Sequence, residues 1–135
     1  MAVTGVNHIT LAVANLPRSV SFYTKVLGGR LRADWDRGAY LELGSLWLCL
    51  TQSDAPIAPR TDYTHLALSC PDSEFAALSQ TIRANADLWQ ANQSEGLSLY
   101  FLDPDGYRLE LHQGDPSSRL DHYRTHPEKG VHLYA

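Results

Sequence analysis

The stretch VNHITLAV at residues 6–13 begins an order of elements that the chain uses twice. It is rich in β-branched residues and predicts a strand. At a spacing of 57 positions (8 to 65), His8-Ile9-Thr10-Leu11 aligns with His65-Leu66-Ala67-Leu68. A predicted helix and three short strands follow each of these stretches. The sequence therefore predicts an α+β protein built from two β-α-β-β-β modules.

The predicted bounds make the chain a single domain over residues 1–135. The modules cover about 5–52 and about 62–113, and a polar, solvated tail covers 114–135. In the second module, Asp103-Pro104-Asp105-Gly106 has the composition of a type I turn between two strands. Each module leaves one sheet face unburied, so two modules, from one chain or from two, must pair their sheets. Pairing predicts cupped mixed sheets with the helices outside the cup.

Composition narrows the classes of function. The 135 residues carry a net charge of −4 and form no basic cluster, which argues against nucleic acid or an anionic membrane as a partner. No apolar run approaches the ~20 residues that a membrane span needs, and the N-terminus does not read as a signal peptide. Cys49 and Cys70 have no zinc-motif spacing. We expect a cytoplasmic protein whose cysteines are reduced.

Three residues suggest a metal site. His8 and His65 occupy equivalent positions in the two first strands, and pseudo-twofold pairing would bring them together. Strand alternation places Glu110 on the face opposite Leu109 and Leu111, toward the cup. Two imidazoles and a carboxylate with open coordination positions suit Zn²⁺, Fe²⁺ or Mn²⁺ acting as a Lewis acid. The alternative is that these are hydrogen-bonded core or rim side chains, which is commoner for a strand histidine.

The segment from Asn92 to Ser98 is a loop rich in oxygen ligands, and Gly96 permits a tight backbone path. Such a loop could hold a cation through carbonyl, Ser and Glu oxygens. The commoner alternative is a solvated connection between strands.

Several polar and aromatic side chains could serve a substrate. Thr10 shares the face of His8, and Arg119 after a predicted Pro-Ser-Ser turn would suit a phosphonate oxygen. A surface role is the commoner one for such an arginine, and a core role is the commoner one for strand aromatics. The aromatic candidates are Tyr40, Trp47, Tyr63 and Tyr100.

These motifs together resemble the fosfomycin resistance proteins of the FosA type, which belong to the vicinal oxygen chelate superfamily. The resemblance covers nearly the whole chain and is strongest from Ser94-Glu95-Gly96 through Tyr100 to Glu110. It implies a homodimer that adds glutathione to the epoxide of fosfomycin, using Mn²⁺ and stimulated by K⁺. His8 of one chain would bind the metal with His65 and Glu110 of the partner chain.

The resemblance also implies roles for other residues. Thr10, Tyr100 and Arg119 would hold the phosphonate, Tyr40 would orient or deprotonate the thiol, and Trp47 would line the pocket. Thr10 and Tyr40 are thus the implied catalytic residues. The implied substrate-binding residues are Thr10, Trp47, Tyr63, Gln90, Tyr100 and Arg119. The implied K⁺ loop residues are Asn92, Ser94, Glu95, Gly96 and Ser98.

Departures from the family pattern concern the nucleophile. Hydrolytic relatives carry a glutamate base where this chain has Gly38, which disfavours water. Gln90 replaces a lysine, Gln93 stands where a basic residue is common, and Pro127-Glu128-Lys129 lacks a tyrosine that would face the thiol. We therefore predict intact metal binding with reduced or altered thiol use. The alternatives are a same-fold metalloenzyme with another thiol or substrate, and a metal-free drug-binding module.

Overall fold

The computed structural model describes residues 1–93 and 96–134, and it contains one four-stranded mixed sheet from each half of the chain. The first half comprises β1 (His8–Val13), α1 (Leu16–Ser21) with a π-helical turn (Phe22–Val26), β2 (Arg30–Trp35), β3 (Gly38–Leu43) and β4 (Leu46–Gln52). The second comprises β5 (Leu66–Ser69), a 3-10 turn (Asp72–Glu74), α2 (Phe75–Asn85), β6 (Leu88–Gln90), β7 (Leu97–Leu102) and β8 (Arg108–Gln113). The chain ends with α3 (Pro116–Arg124) and a 3-10 turn (Pro127–Lys129).

The two sheets have the same topology. Their strand orders are β1-β4-β3-β2 and β5-β8-β7-β6. In each sheet the first strand runs parallel to the last, and the other pairs are antiparallel. This repetition confirms the predicted α+β fold of two β-α-β-β-β modules.

Both modules bury their helix-bearing sides in one common hydrophobic core. Phe22 of the first module lies with its ring centroid 6.5 Å from that of Phe101 of the second. Because successive strand residues point to opposite faces, the residues between the core positions point away from the core. Each of the two sheets therefore has an open face.

The turn between β7 and β8 joins the modules. The Gly106 amide donates to the Asp103 carbonyl at 3.0 Å, as the type I turn predicts. The buried Tyr23 hydroxyl donates to Asp103 Oδ2 at 2.8 Å, and Arg18 Nη2 donates to Asp105 Oδ1 at 3.0 Å. Burial raises the pKa of the Asp103 carboxyl, while the hydrogen bond from Tyr23 opposes that rise. The turn thus carries polar contacts from one module to the other at the edge of the shared core.

Two predictions of secondary structure are wrong in detail. The predicted first strand of the second module includes His65, but this strand begins only at Leu66. The Thr64 amide and hydroxyl both donate to Asp62 Oδ1 and form a local turn before it. The expected Pro-Ser-Ser turn is the first turn of α3 instead. Asp115 caps this helix by accepting from the Ser118 amide, with Pro116 at the first position.

None of the helices in residues 1–93 and 96–134 is long and apolar enough to span a membrane.

Replacing Tyr23 with Phe should destabilise the fold by about 1–3 kcal/mol at pH 7, because ionised Asp103 loses a buried donor. The Asp103 pKa should rise further, so the difference from wild type should shrink as pH falls and the carboxyl is protonated. Urea denaturation over this pH range measures both effects. Tyr107→Phe is the control, since its hydroxyl donates to the Ala12 carbonyl in a more exposed place. Equal losses in the free energy of unfolding of the two variants at pH 7 would contradict a larger contribution from the buried Tyr23–Asp103 hydrogen bond.

Candidate metal and substrate site

The open face of the second sheet brings two predicted metal ligands together. His65 Nε2 lies 2.9 Å from Glu110 Oε1. Glu110 is in the middle of β8, where Leu109 and Leu111 enter the core and turn its carboxylate to the opposite face. The glutamate is only 5% exposed, although the core lies on the other side of the sheet. A buried carboxylate beside an imidazole is a typical pair of ligands for a divalent ion.

The distance of 2.9 Å between His65 Nε2 and Glu110 Oε1 fits two ligands of the same metal ion. Nitrogen and oxygen ligands that lie ~2.1 Å from one metal at right angles are roughly 3.0 Å apart. The described residues contain no group of three His, Cys, Asp or Glu side chains placed to hold an ion. One chain therefore brings two of the three predicted ligands to one place, and His8 lies on the other sheet.

Aromatic rings enclose His65. The ring centroids of Tyr63, Trp89 and Tyr100 lie 5.1, 5.6 and 6.0 Å from the imidazole centroid. Gln90 Nε2 donates to the Tyr63 hydroxyl at 2.8 Å, which ties two predicted substrate residues together. The sequence analysis did not select Trp89, whose Nε1 donates to the Leu109 carbonyl at 2.9 Å. In the sequence, its position next to Gln90 in one strand was the feature that could have indicated a place in the site.

Glu110 also has polar partners on its second oxygen. Ser98 Oγ donates to Glu110 Oε2 at 2.6 Å and lies 2.6 Å from His112 Nδ1. Arg119 Nη2 lies 3.4 Å from His112 Nε2, so α3 delivers the arginine to the same face. His112 was not among the predicted site residues, although strand alternation puts it on the same face as Glu110.

The predicted cation loop includes Asn92, Gly96 and Ser98 among the described residues. Asn92 Nδ2 donates to the Gly96 carbonyl at 2.9 Å, and Gly96 has a φ of 81°, where glycine is favoured. The predicted ligands Ser94 and Glu95 lie outside the described residues. Ser98 faces Glu110 with its hydroxyl, as described above.

The open face of the first sheet carries the remaining predicted residues. His8 pairs with Trp47 across the strands, and their ring centroids are 4.6 Å apart. Thr10 and Tyr40 both pair with Cys49, which lies between them on β4. Tyr40 and Trp47 are 39% and 38% exposed, and the buried Cys49 is a free thiol as predicted. This face thus places an imidazole, a hydroxyl and two aromatic rings near one another.

His8 belongs to no group of three His, Cys, Asp or Glu side chains that could hold a metal ion among the described residues. Its Nδ1 lies 2.7 Å from the Asn7 side-chain oxygen. The structure therefore divides the predicted site into a His8 half on the first sheet and a His65–Glu110 half on the second.

Gly38 is enclosed at the end of the first open face. A Cβ atom at this position would lie 2.5 Å from the Trp35 ring and 2.9 Å from the Leu50 carbonyl oxygen. Any larger residue requires the indole to move, so the packing here is specific for glycine.

Comparison with known proteins identifies the family. The family model of the glyoxalase/bleomycin resistance protein/dioxygenase superfamily matches residues 5–111. The chain is 46% identical over 129 residues to the glutathione transferase FosA of Serratia marcescens, covering 93% of this chain and 92% of that protein. It is 37% identical over 139 residues to the metallothiol transferase FosB of Shouchella clausii, covering 97% and 95%.

A solved structure with the same fold contains a metal. The fosfomycin resistance protein FosX of Listeria monocytogenes, crystallised with Mn(II) and sulfate, superposes with a TM-score of 0.79 at 25% identity. The match covers 90% of this chain and 99% of that one. With its repeated modules, the same order of strands in both sheets and these relatives, the chain belongs to the glyoxalase/bleomycin resistance protein/dioxygenase superfamily.

Proposed function

We propose that this protein is a metal-dependent thiol transferase that opens the epoxide ring of fosfomycin with glutathione. The observation that carries the proposal is the buried His65–Glu110 pair, with ligand atoms 2.9 Å apart, in a chain 46% identical to a glutathione transferase FosA. A metal-free drug-binding module would not need an imidazole and a buried carboxylate at this distance from each other.

Mn²⁺ is the proposed metal, and the Mn(II) complex of the Listeria relative supports a divalent ion in this fold. His65 and Glu110 of one chain would hold it with His8 of a second copy. A bound divalent ion supplies a Lewis acid for the epoxide oxygen, whose negative charge develops as the ring opens.

A second copy of the chain is the proposed partner. Each open face leaves large aromatic side chains half exposed, and the exposed fractions reach 48% for Trp35 and 59% for Tyr63. Aromatic residues in such numbers on one surface are typical of interfaces and binding sites. A twofold homodimer that pairs the first sheet of one chain with the second sheet of the other would join the two halves of the site.

The chain's own side chains would bind and orient the two substrates. Thr10, Tyr100 and Arg119 are the proposed phosphonate ligands, and Arg119 offers the bidentate donors that suit phosphonate oxygens. Fixing the phosphonate orients the epoxide carbon for in-line attack. Tyr40, on the exposed part of the first face, would accept or orient the thiol proton. The thiolate sulfur would then bond to carbon as the carbon–oxygen bond breaks, and the freed oxygen would take a proton from solvent water, which balances the proton that the thiol gave up.

Gly38 supports a thiol rather than water as the nucleophile. A glutamate base at this position, as the hydrolytic relatives carry, would meet the Trp35 ring at its Cβ atom. The chain has no room for that base without moving the indole. The enclosed glycine therefore favours transfer over hydrolysis.

The proposal also includes a K⁺ site and a location in the cytoplasm. The loop around Asn92 and Gly96, with Ser94, Glu95 and Ser98, would bind K⁺ through oxygen ligands, as the sequence resemblance implies. The cytoplasm supplies reduced thiols, and the unpaired Cys49 and Cys70 are consistent with that compartment.

Another thiol is the second candidate, favoured by Gln90 and by the similarity to a metallothiol transferase FosB. The neutral Gln90 amide donates to the Tyr63 hydroxyl where the resemblance expects a lysine. It therefore offers no positive charge to an anionic thiol donor. Trp47, Tyr63 and Gln90 remain proposed substrate-binding residues with either thiol.

Glu110→Gln and His65→Ala should each abolish tight Mn²⁺ binding and reduce adduct formation by at least 100-fold, because a carboxylate or imidazole ligand is lost. Metal content of the purified protein and product formation from fosfomycin and glutathione measure the two effects. His132→Ala, in the tail, is the control and should behave as wild type. Fosfomycin binding to metal-free protein without any adduct would instead indicate a drug-binding module.

Gln90→Lys should raise kcat/KM for glutathione about fivefold, because a charge-assisted hydrogen bond is roughly twice as strong as a neutral one. The readout is steady-state turnover at saturating Mn²⁺ with glutathione and with cysteine. Gln80→Lys, at an exposed position of α2, is the control for a general increase in positive charge. A wild-type enzyme that already prefers glutathione strongly, with no gain in the variant, would overturn the idea of altered thiol use.

A further inference from the structure

A chain of side-chain contacts leads from Arg119 to the metal-ligand pair. Arg119 Nη2 lies 3.4 Å from His112 Nε2, and His112 Nδ1 lies 2.6 Å from Ser98 Oγ. Ser98 Oγ donates to Glu110 Oε2 at 2.6 Å, and Glu110 Oε1 lies 2.9 Å from His65 Nε2. The contacts connect α3, β7, β8 and the start of β5 across one open face.

The chemistry of each group fixes the direction of the hydrogen bonds. A guanidinium group only donates, so His112 Nε2 must be the accepting nitrogen and Nδ1 must carry the proton. Nδ1 then donates to Ser98 Oγ, because the single serine proton goes to Glu110, whose carboxylate only accepts. His112 is therefore held as the Nδ1–H tautomer by partners on both of its nitrogens.

Burial protects these hydrogen bonds from competition with water. The side chains of His112 and Glu110 are 15% and 7% exposed, so water competes weakly for these bonds. His112 Nδ1 also lies 3.3 Å from Glu110 Oε2, so the imidazole lies beside the carboxylate oxygen that accepts from the Ser98 hydroxyl. Glu110 Oε2 is thus occupied, and Oε1 alone is directed toward His65.

We infer that Ser98 and His112 are positioning residues for Glu110, and that they hold its Oε1 as a monodentate metal ligand while linking it to Arg119. The inference rests on the proposed metal site and assigns Ser98 a role through Glu110 beyond that of a K⁺ ligand. Outer partners that orient a metal ligand typically contribute 10–100-fold to metal affinity. The same bonds connect the proposed phosphonate-binding arginine to the metal ligand by way of one imidazole.

The metal-free protein offers the first test, because the tautomer does not depend on metal or on activity. Nitrogen NMR of ¹⁵N-labelled histidine should show His112 with a protonated Nδ1 and an unprotonated Nε2. Ser98→Ala should weaken that preference, since Nδ1 loses the hydroxyl that accepts its proton and keeps only the longer approach of 3.3 Å to Glu110 Oε2. A protonated Nε2 with a bare Nδ1 in the wild-type protein would overturn the inference.

Two substitutions of His112 separate its two contacts. His112→Asn keeps an amide donor near the position of Nδ1 and loses the link to Arg119. His112→Gln places its amide near Nε2 and loses the bond to Ser98. We expect the Mn²⁺ dissociation constant, measured by electron paramagnetic resonance, to rise about 10–100-fold in His112→Gln and in Ser98→Ala. The dissociation constant should change less than about threefold in His112→Asn. His122→Asn, in α3, is the matched control.

The results that would refute this inference differ from those that would refute the proposed function. Unchanged Mn²⁺ affinity in Ser98→Ala, with circular dichroism and thermal unfolding like wild type, would refute the positioning role. Equal losses in His112→Asn and His112→Gln would indicate a general packing role and would also refute it. A wild-type protein that binds no Mn²⁺ at all would contradict the proposed function, and the tautomer measurement would then decide the hydrogen-bonded chain alone.

Discussion

The shared hydrophobic core is the constraint on which the rest of the structure depends. Both modules bury their helices and inner strand residues in it, so the alternate strand residues of each sheet must face away. The same packing that brings Leu109 and Leu111 inward turns Glu110 outward. One chain therefore displays two half-sites on two separate sheets, and neither half contains three metal ligands among the described residues.

This division has a consequence for catalysis. An imidazole on the first sheet and an imidazole–carboxylate pair on the second would meet only when two open faces pair. Pairing would also exclude water from the aromatic side chains around both halves, which strengthens electrostatic interactions with a developing negative charge. Assembly and the formation of the metal site would then be one event, and dilution of the protein should reduce both together.

The fold was largely predictable from the sequence, because it follows from a repeated local pattern. The alternation around Glu110 and the turn at Asp103 are confirmed, as are the family and the two modules. The late start of β5 was not predictable from strand propensity, because Asp62 and Thr64 form side-chain bonds to their own backbone. Helix α3 was missed although Asp115 and Pro116 are ordinary start signals, since the polar composition of the tail suggested solvent instead.

The contacts within the candidate site were less predictable than the fold. The roles of His8, His65, Glu110 and the substrate residues remain predictions, drawn from spacing and resemblance. Ser98 and His112 show why the connections were hidden, since they are 14 positions apart and meet only because β7 and β8 are paired in register. Cys49 between Thr10 and Tyr40 is a similar case, because cross-strand register is set by hairpin geometry that single residues do not reveal.

The most direct test of the central claim mixes two inactive variants, His8→Ala and His65→Ala, by co-expression and purification of the mixed population. If each metal site takes His8 from one chain and His65 from the other, half of the dimers are mixed and each mixed dimer retains one intact site. About a quarter of the wild-type Mn²⁺-dependent turnover of fosfomycin should then return, although either variant alone is inactive. No recovery in dimers shown to be mixed would contradict the account, because it would mean that each site is built within a single chain.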